Sequence, residues 1–104
     1  SEVVPIVTKD VWCNLYLEFK NQTADSSIKK SIRRIAEDYK INYNTIIKLF
    51  FNYLVRHEKS MLTEGFLDMV ENLMHMKEGN PEYNVSYLIC CMKELVMVHN
   101  THSI

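Results

Sequence analysis

Along most of this chain, apolar residues recur every three or four positions, the spacing of helices that turn one face inward. Nowhere do they alternate with period two for long enough to make a strand. One stretch exceeds the one-face pattern. Residues 44–57, NTIIKLFFNYLVRH, hold Ile46, Ile47, Leu49, Phe50, Phe51, Tyr53, Leu54 and Val55, interrupted only by Lys48, Asn52 and Arg56. A helix that is apolar on this much of its circumference needs neighbours on several sides. The pattern predicts a central helix with the rest of the chain wrapped around it.

Four further helices supply the wrapping. Residues 9–20 place Val11, Trp12, Leu15, Tyr16 and Phe19 on one face, with Thr8 as the expected N-cap. Residues 26–39 carry a stripe of Ile28, Ile32, Ile35, Ala36 and Tyr39, with Lys29, Lys30, Arg33 and Arg34 opposite. Asn42 or Asn44 caps the central helix, which ends near residue 58. A fourth helix starts at Ser60 or Thr63 and ends near residue 78, with Leu62, Phe66, Met69, Val70, Leu73 and Met74 inward. Gly79 suits the left-handed position after a helix. Asn80 then offers an N-cap, and Pro81 sits at the first helical position, where its missing N–H costs nothing. The fifth helix runs to about residue 98, its inner face expected at Tyr83, Tyr87, Leu88, Cys91, Leu95 and Val98. Residues 100–104 are expected to fray, and residues 1–7 to lie as an extended arm.

Short links between helices favour antiparallel neighbours. The fold class is therefore all-α: one five-helix domain over residues 1–104, built of antiparallel hairpins (a bundle or a short solenoid-like array) around a buried central helix. At 104 residues it is one domain or a piece of a larger helical array. Two glycines and two prolines leave little material for the many turns of an all-β fold.

A formal net charge of -1 excludes a molecule that binds nucleic acid through its overall charge, though not a local patch. Cys13, Cys90 and Cys91 are odd in number and include an adjacent pair, a poor disulfide framework. Reduced thiols are expected, and with them an intracellular protein of the cytoplasm or nucleus. No apolar run is long enough for a membrane span. The opening SEVVPIVTKD lacks the basic and apolar segments of a secretory signal.

Two stretches echo each other. Tyr43-Asn44-Thr45-Ile46-Ile47 and Tyr83-Asn84-Val85-Ser86, followed by Tyr87-Leu88-Ile89, are offset by 40 residues, with one helix and a turn between them. That is the unit of a stacked helical-hairpin array. The run Met74-His75-Met76-Lys77-Glu78-Gly79-Asn80-Pro81 before Tyr83-Asn84 resembles the junction of a pentatricopeptide repeat. That resemblance implies single-stranded RNA binding, one base per repeat, with Asn44 and then Asn84 at the base-reading position. The offset is longer than the family's repeat, and capping physics alone produces such junctions, so a generic hairpin array is the reading adopted.

Little in the chain points to catalysis. His57, His75, His99 and His102 lack the paired spacing of a zinc site. The cysteines fall in apolar helices, where structural thiols are the norm. Glu37 and Asp38 are adjacent and point about 100° apart on a helix, so they share no acid–base site. Two glycines leave no phosphate loop. No enzyme, metal or cofactor is expected. Asn21-Gln22-Thr23 and Asn84-Val85-Ser86 match the glycosylation pattern by chance, on an intracellular reading.

Charge is unevenly spread. Between residues 20 and 40, Lys20, Lys29, Lys30, Arg33, Arg34 and Lys40 stand against Asp25, Glu37 and Asp38, a balance of +3. Lys29 with Arg33, and Lys30 with Arg34, are four apart and adjacent on a helix surface. This ridge is either a solvated face or a patch for phosphates or an acidic partner. Between residues 58 and 82, Glu58, Glu64, Asp68, Glu71, Glu78 and Glu82 outweigh Lys59 and Lys77, a balance of -4. Met76 and Met97 lie off the main stripes of the last two helices, with Leu67 and Ile89, and would form an apolar outer face.

The expected function is protein–protein interaction, as an adaptor or scaffold that binds a partner helix or helical domain or self-associates, through Leu67, Met76, Ile89 and Met97. The alternative is an RNA-binding module using Lys29, Lys30, Arg33 and Arg34. No membrane partner is expected.

Overall fold

A computed structural model describes residues 7–75 and 80–102, with side chains through His99. The expectations for the arm before Val7, the inner end of the fourth helix beyond His75, Met76, Gly79 and the His102 side chain lie outside the described residues. Five helices follow one another: α1 (Lys9–Lys20), α2 (Asp25–Tyr39), α3 (Tyr43–His57), α4 (Glu64–His75) and α5 (Pro81–His102), with a 3₁₀ turn at Lys59–Met61 before α4. Among the described residues there is no strand.

The caps explain most of the boundaries. The Asn42 side chain accepts from the Thr45 N–H at 2.8 Å and starts α3. Thr63 Oγ1 accepts from the Phe66 N–H at 3.2 Å and starts α4. Asn80 Oδ1 accepts from the Glu82 N–H at 2.9 Å and starts α5. Each closes an amide that the first turn leaves without a helical partner. Thr8 precedes α1, but its hydroxyl caps nothing; its backbone carbonyl takes the Val11 N–H instead. α2 ends on Lys40, a left-handed residue with φ of 57°. α5 continues to His102, past the fraying expected from residue 100.

α3 is buried as its composition demands. Ile46, Phe50 and Leu54 are fully enclosed, and Phe51 is 8% exposed. Adjacent residues on a helix diverge by about 100°, so Phe50 and Phe51 meet different neighbours. Phe50 packs on Trp12 and Phe19 of α1, with ring centroids 6.3 and 5.7 Å apart. Phe51 meets Phe66 of α4 edge-on at 5.6 Å. Each such ring contributes roughly 1.5–3 kcal/mol by leaving water. Val55 is an exception to the pattern and lies nearly half exposed.

The centre is shared with α5, which packs against α1, α2, α3, α4 and the 3₁₀ turn. Its inner face is Val85, Leu88, Ile89, Met92 and Val96. The expected face was rotated from this by about one residue: Tyr83 and Val98 are well exposed, and Ile89 is 1% exposed. The reason is that α5 is apolar or aromatic on nearly every side, so its own periodicity offers two stripes. The helices packed around it choose between them.

The starts of α3 and α5 lie side by side, joined by Asn84 Nδ2 donating to Asn44 Oδ1 at 3.2 Å. Further along, Met61, just after α3, shares a groove with Leu95 and Val98 of α5. The two helices thus run in the same direction, with α4 returning between them in sequence. This is the geometry behind the 40-residue echo.

Candidate functional site

Two open surfaces lie at opposite ends of α5. The first is a groove of about 460 Å³ where α4 begins and α5 nears its end. Met61, Gly65, Leu95 and Val98 line it, with Thr63, Glu64 and His99 at its edges. Gly65 lets the helices approach: a Cβ there would stand 3.0 Å from Leu95 Cδ2. Val98, in the groove, is half exposed; elsewhere α5 exposes Met97 and α4 exposes Leu67 and Met74, the last at the far end of α4 near Asn44 and Asn84. The outward side of α4 also carries Glu64, Asp68 and Glu71, all exposed, and this helix contains no Lys or Arg. Among the described residues Glu71 pairs with His75, at 3.8 Å, when that imidazole is protonated.

Of the four residues expected on this outer face, Leu67 and Met97 are exposed. Ile89 is not: it belongs to the core, because α5 is turned from the orientation its sequence suggested. Leu95 and Val98, assigned by sequence to the inner face, line the groove instead.

The second surface is a hollow of about 380 Å³ between α2 and the paired starts of α3 and α5. Lys29 and Arg33 rise from consecutive turns of α2 on one wall; Tyr43, Glu82, Tyr83 and Ser86 form the other. Ile32 and Val85, both buried, make the floor. Tyr83 is 61% exposed, unusual for so large an aromatic. Among the described residues neither Lys29 nor Arg33 enters an ion pair.

The expected basic ridge is thereby divided. Arg34 lines a different hollow, on the α1 side of α2, with Glu18 and Asp38. Lys30 is exposed and lines neither. Asp25, at the start of α2, is held by Lys93 of α5. Lys29 and Arg33 share one hollow with Tyr43, Tyr83 and Ser86, whereas Arg34 shares its own with Ser31 and Tyr39 and with the carboxylates of Glu18 and Asp38. Tyr43, Tyr83 and Ser86 belong to the echo, but the sequence did not mark them as site residues and placed Tyr83 on an inner face, where the structure exposes it.

The asparagines of that echo do not face outward. Asn84 is 1% exposed and Asn44 half-buried, and their amides bond to each other. At 1% exposure Asn84 is closed both to a base and to a glycan, while Asn44 remains half-buried at the edge of a small hollow. Burial pushes the Cys91 thiol above its usual range, which disfavours its thiolate, while Cys90, expected inside an apolar helix, is exposed. Among the described residues no three His, Cys, Asp or Glu side chains stand close enough to hold a metal ion, and no helix is long and apolar enough to cross a membrane.

Comparison of the chain with protein-family models, curated proteins and solved structures finds no match.

Proposed function

We propose that this domain is a protein–protein interaction module that seats a basic amphipathic helix in the groove between the start of α4 and the end of α5. The observation that carries the reading is the joining of an open apolar groove, lined by Met61, Leu95 and Val98, to a helix bearing Glu64, Asp68 and Glu71 and no Lys or Arg. Apolar anchors at helical spacing fill such grooves. The carboxylate of Glu64 at the groove's edge, with Asp68 and Glu71 further along the same helix, selects a partner with Lys or Arg beside its apolar stripe and steers its approach.

The test is fluorescence anisotropy with a short designed Leu/Lys peptide whose leucines form one helical face, against a scrambled peptide of the same composition. The ordered peptide binds at least about tenfold more tightly, a difference of about 1.4 kcal/mol. Val98→Asp and Glu64→Lys, both at exposed positions lining the groove, remove that preference without unfolding the domain. Equal binding of both peptides, or binding indifferent to both substitutions, overturns the proposal. So does concentration-dependent dimerisation that Val98→Asp abolishes, since the groove would then serve a second copy of the chain.

A further inference from the structure

We propose that the hollow between α2 and the starts of α3 and α5 is a binding site for a nucleoside phosphate, either free or as one unit of a single strand. It lies at the other end of α5 from the peptide groove and does not depend on it. Its volume, about 380 Å³, falls within the range of small-ligand clefts, roughly 300–1,000 Å³.

The chemistry of the walls is divided in the way such a ligand is divided. Lys29 and Arg33 stand four residues apart on α2, adjacent on its surface and without a carboxylate partner among the described residues. A guanidinium beside an ammonium is a phosphate clamp: the first binds two oxygens in its plane, the second adds a mobile point charge. Across the hollow, the open ring of Tyr83 and the half-buried ring of Tyr43 offer faces on which a planar base stacks. Glu82 and the Ser86 hydroxyl complete the wall.

Glu82 decides among the anions. Its carboxylate lowers the net charge of the hollow and opposes a bare phosphate. A sugar removes the opposition, because ribose hydroxyls donate to a carboxylate. A phosphorylated peptide has no such hydroxyls to offer. At the two helix starts the Asn42 and Asn80 side chains each cap one amide, of Thr45 and of Glu82. Lys29 and Arg33 are the cations of the hollow, and the phosphate falls to them. The wall opposite is held in place by the Asn44–Asn84 bond, so the site needs no rearrangement to form.

The experiment is an NMR amide-shift titration of the full chain with AMP, dAMP, inorganic phosphate and a phosphotyrosine peptide, and an anisotropy titration with a short single-stranded RNA. AMP shifts the amides of Tyr83 and Ser86 and binds at least about tenfold more tightly than inorganic phosphate. Arg33→Ala and Tyr83→Ala, both at exposed positions, each weaken AMP about tenfold or more, while Lys30→Ala, outside the hollow, changes nothing. If the natural source is a strand, the RNA binds more tightly than AMP, and its affinity falls with salt at a log–log slope of about -0.7, one phosphate's worth. If it is a free nucleotide, AMP binds and the RNA gains nothing over it. The proposal is overturned if neither ligand binds, if Arg33→Ala and Tyr83→Ala leave AMP binding unchanged, or if inorganic phosphate or the phosphopeptide binds as well as AMP.

Discussion

The bond between Asn44 and Asn84 is the most informative single contact to break. It ties the starts of two parallel helices, and Asn84 is 1% exposed. Removing one amide leaves the other enclosed with one partner fewer, which costs about 1–3 kcal/mol. Asn84→Ala sits toward the upper end, because it also empties side-chain volume from a packed site; Asn44→Ala sits lower, because that position is half-buried. Each asparagine makes a further interaction as well, so the single substitutions remove more than this bond, and only the double-mutant cycle isolates it. The double variant should be less destabilised than the sum of the singles by about 1 kcal/mol. Urea unfolding followed by the single tryptophan, Trp12, which is 5% exposed, reports the change directly. With a slope of about 2 kcal/mol/M, a loss of 2 kcal/mol moves the midpoint by about 1 M. Strict additivity, or a cost below about 0.5 kcal/mol for Asn84→Ala, would refute the argument. A base-reading asparagine behaves differently: its loss lowers RNA affinity and leaves the midpoint where it was.

Two further outcomes follow from single positions. Gly65→Ala should stabilise the domain by about 0.5 kcal/mol, because alanine favours the helix and Leu95, half-buried at the lip of the groove, can swing from the 3.0 Å contact into open space; a lower thermal midpoint would show instead that Leu95 is locked. Burial pushes the Tyr53 phenol up to about 12, helped by the Cys13 thiol and the Glu58 carboxylate. The folded state therefore holds this proton more tightly than the unfolded chain, and the associated stability is whole below pH 10 and lost as pH rises from 10 towards about 12, by at most about 2–3 kcal/mol. Tyr53→Phe should flatten that part of the alkaline stability profile, and an identical slope in both proteins would remove Tyr53 as its source.

What could be read from the sequence was whatever local chemistry decides. The starts of α3, α4 and α5 followed from Asn42, Thr63 and Asn80, whose side chains bond to amides two or three residues on. The burial of α3 followed from having too few polar residues to face water. The orientation of α5 was not local. Its two candidate stripes, Val85-Leu88-Ile89-Met92-Val96 and Tyr87-Leu88-Cys91-Leu95-Val98, share Leu88 and are nearly equal in apolar content. Contacts with α1, α2, α3 and α4 turn the first inward, which carried Ile89 into the core and brought Val98 out. The basic face of α2 was legible as charge but not as a site. Which of Lys29, Lys30, Arg33 and Arg34 meet an aromatic wall depends on where α5 starts relative to α2, and that is set 50 residues later in the chain.

The placement of the two surfaces makes their proposed ligands separable. Tyr83 and Val98 are 15 residues apart on one helix, about 22 Å along its axis. A ligand at one end does not block the other. Their electrostatics also differ in sign: Glu64 stands at the groove with Asp68 and Glu71 further along α4, while Lys29 and Arg33 stand at the hollow. A basic peptide is repelled from the hollow, and a nucleotide from the groove. Salt distinguishes them further, since counterion screening removes phosphate binding while burial of Leu side chains against Met61 and Val98 survives it. A variant at Arg33 that weakens the peptide, or one at Val98 that weakens AMP, would mean that α5 couples the two ends; a rigid helix packed along its length against four others gives no physical route for such coupling without a shift of the core.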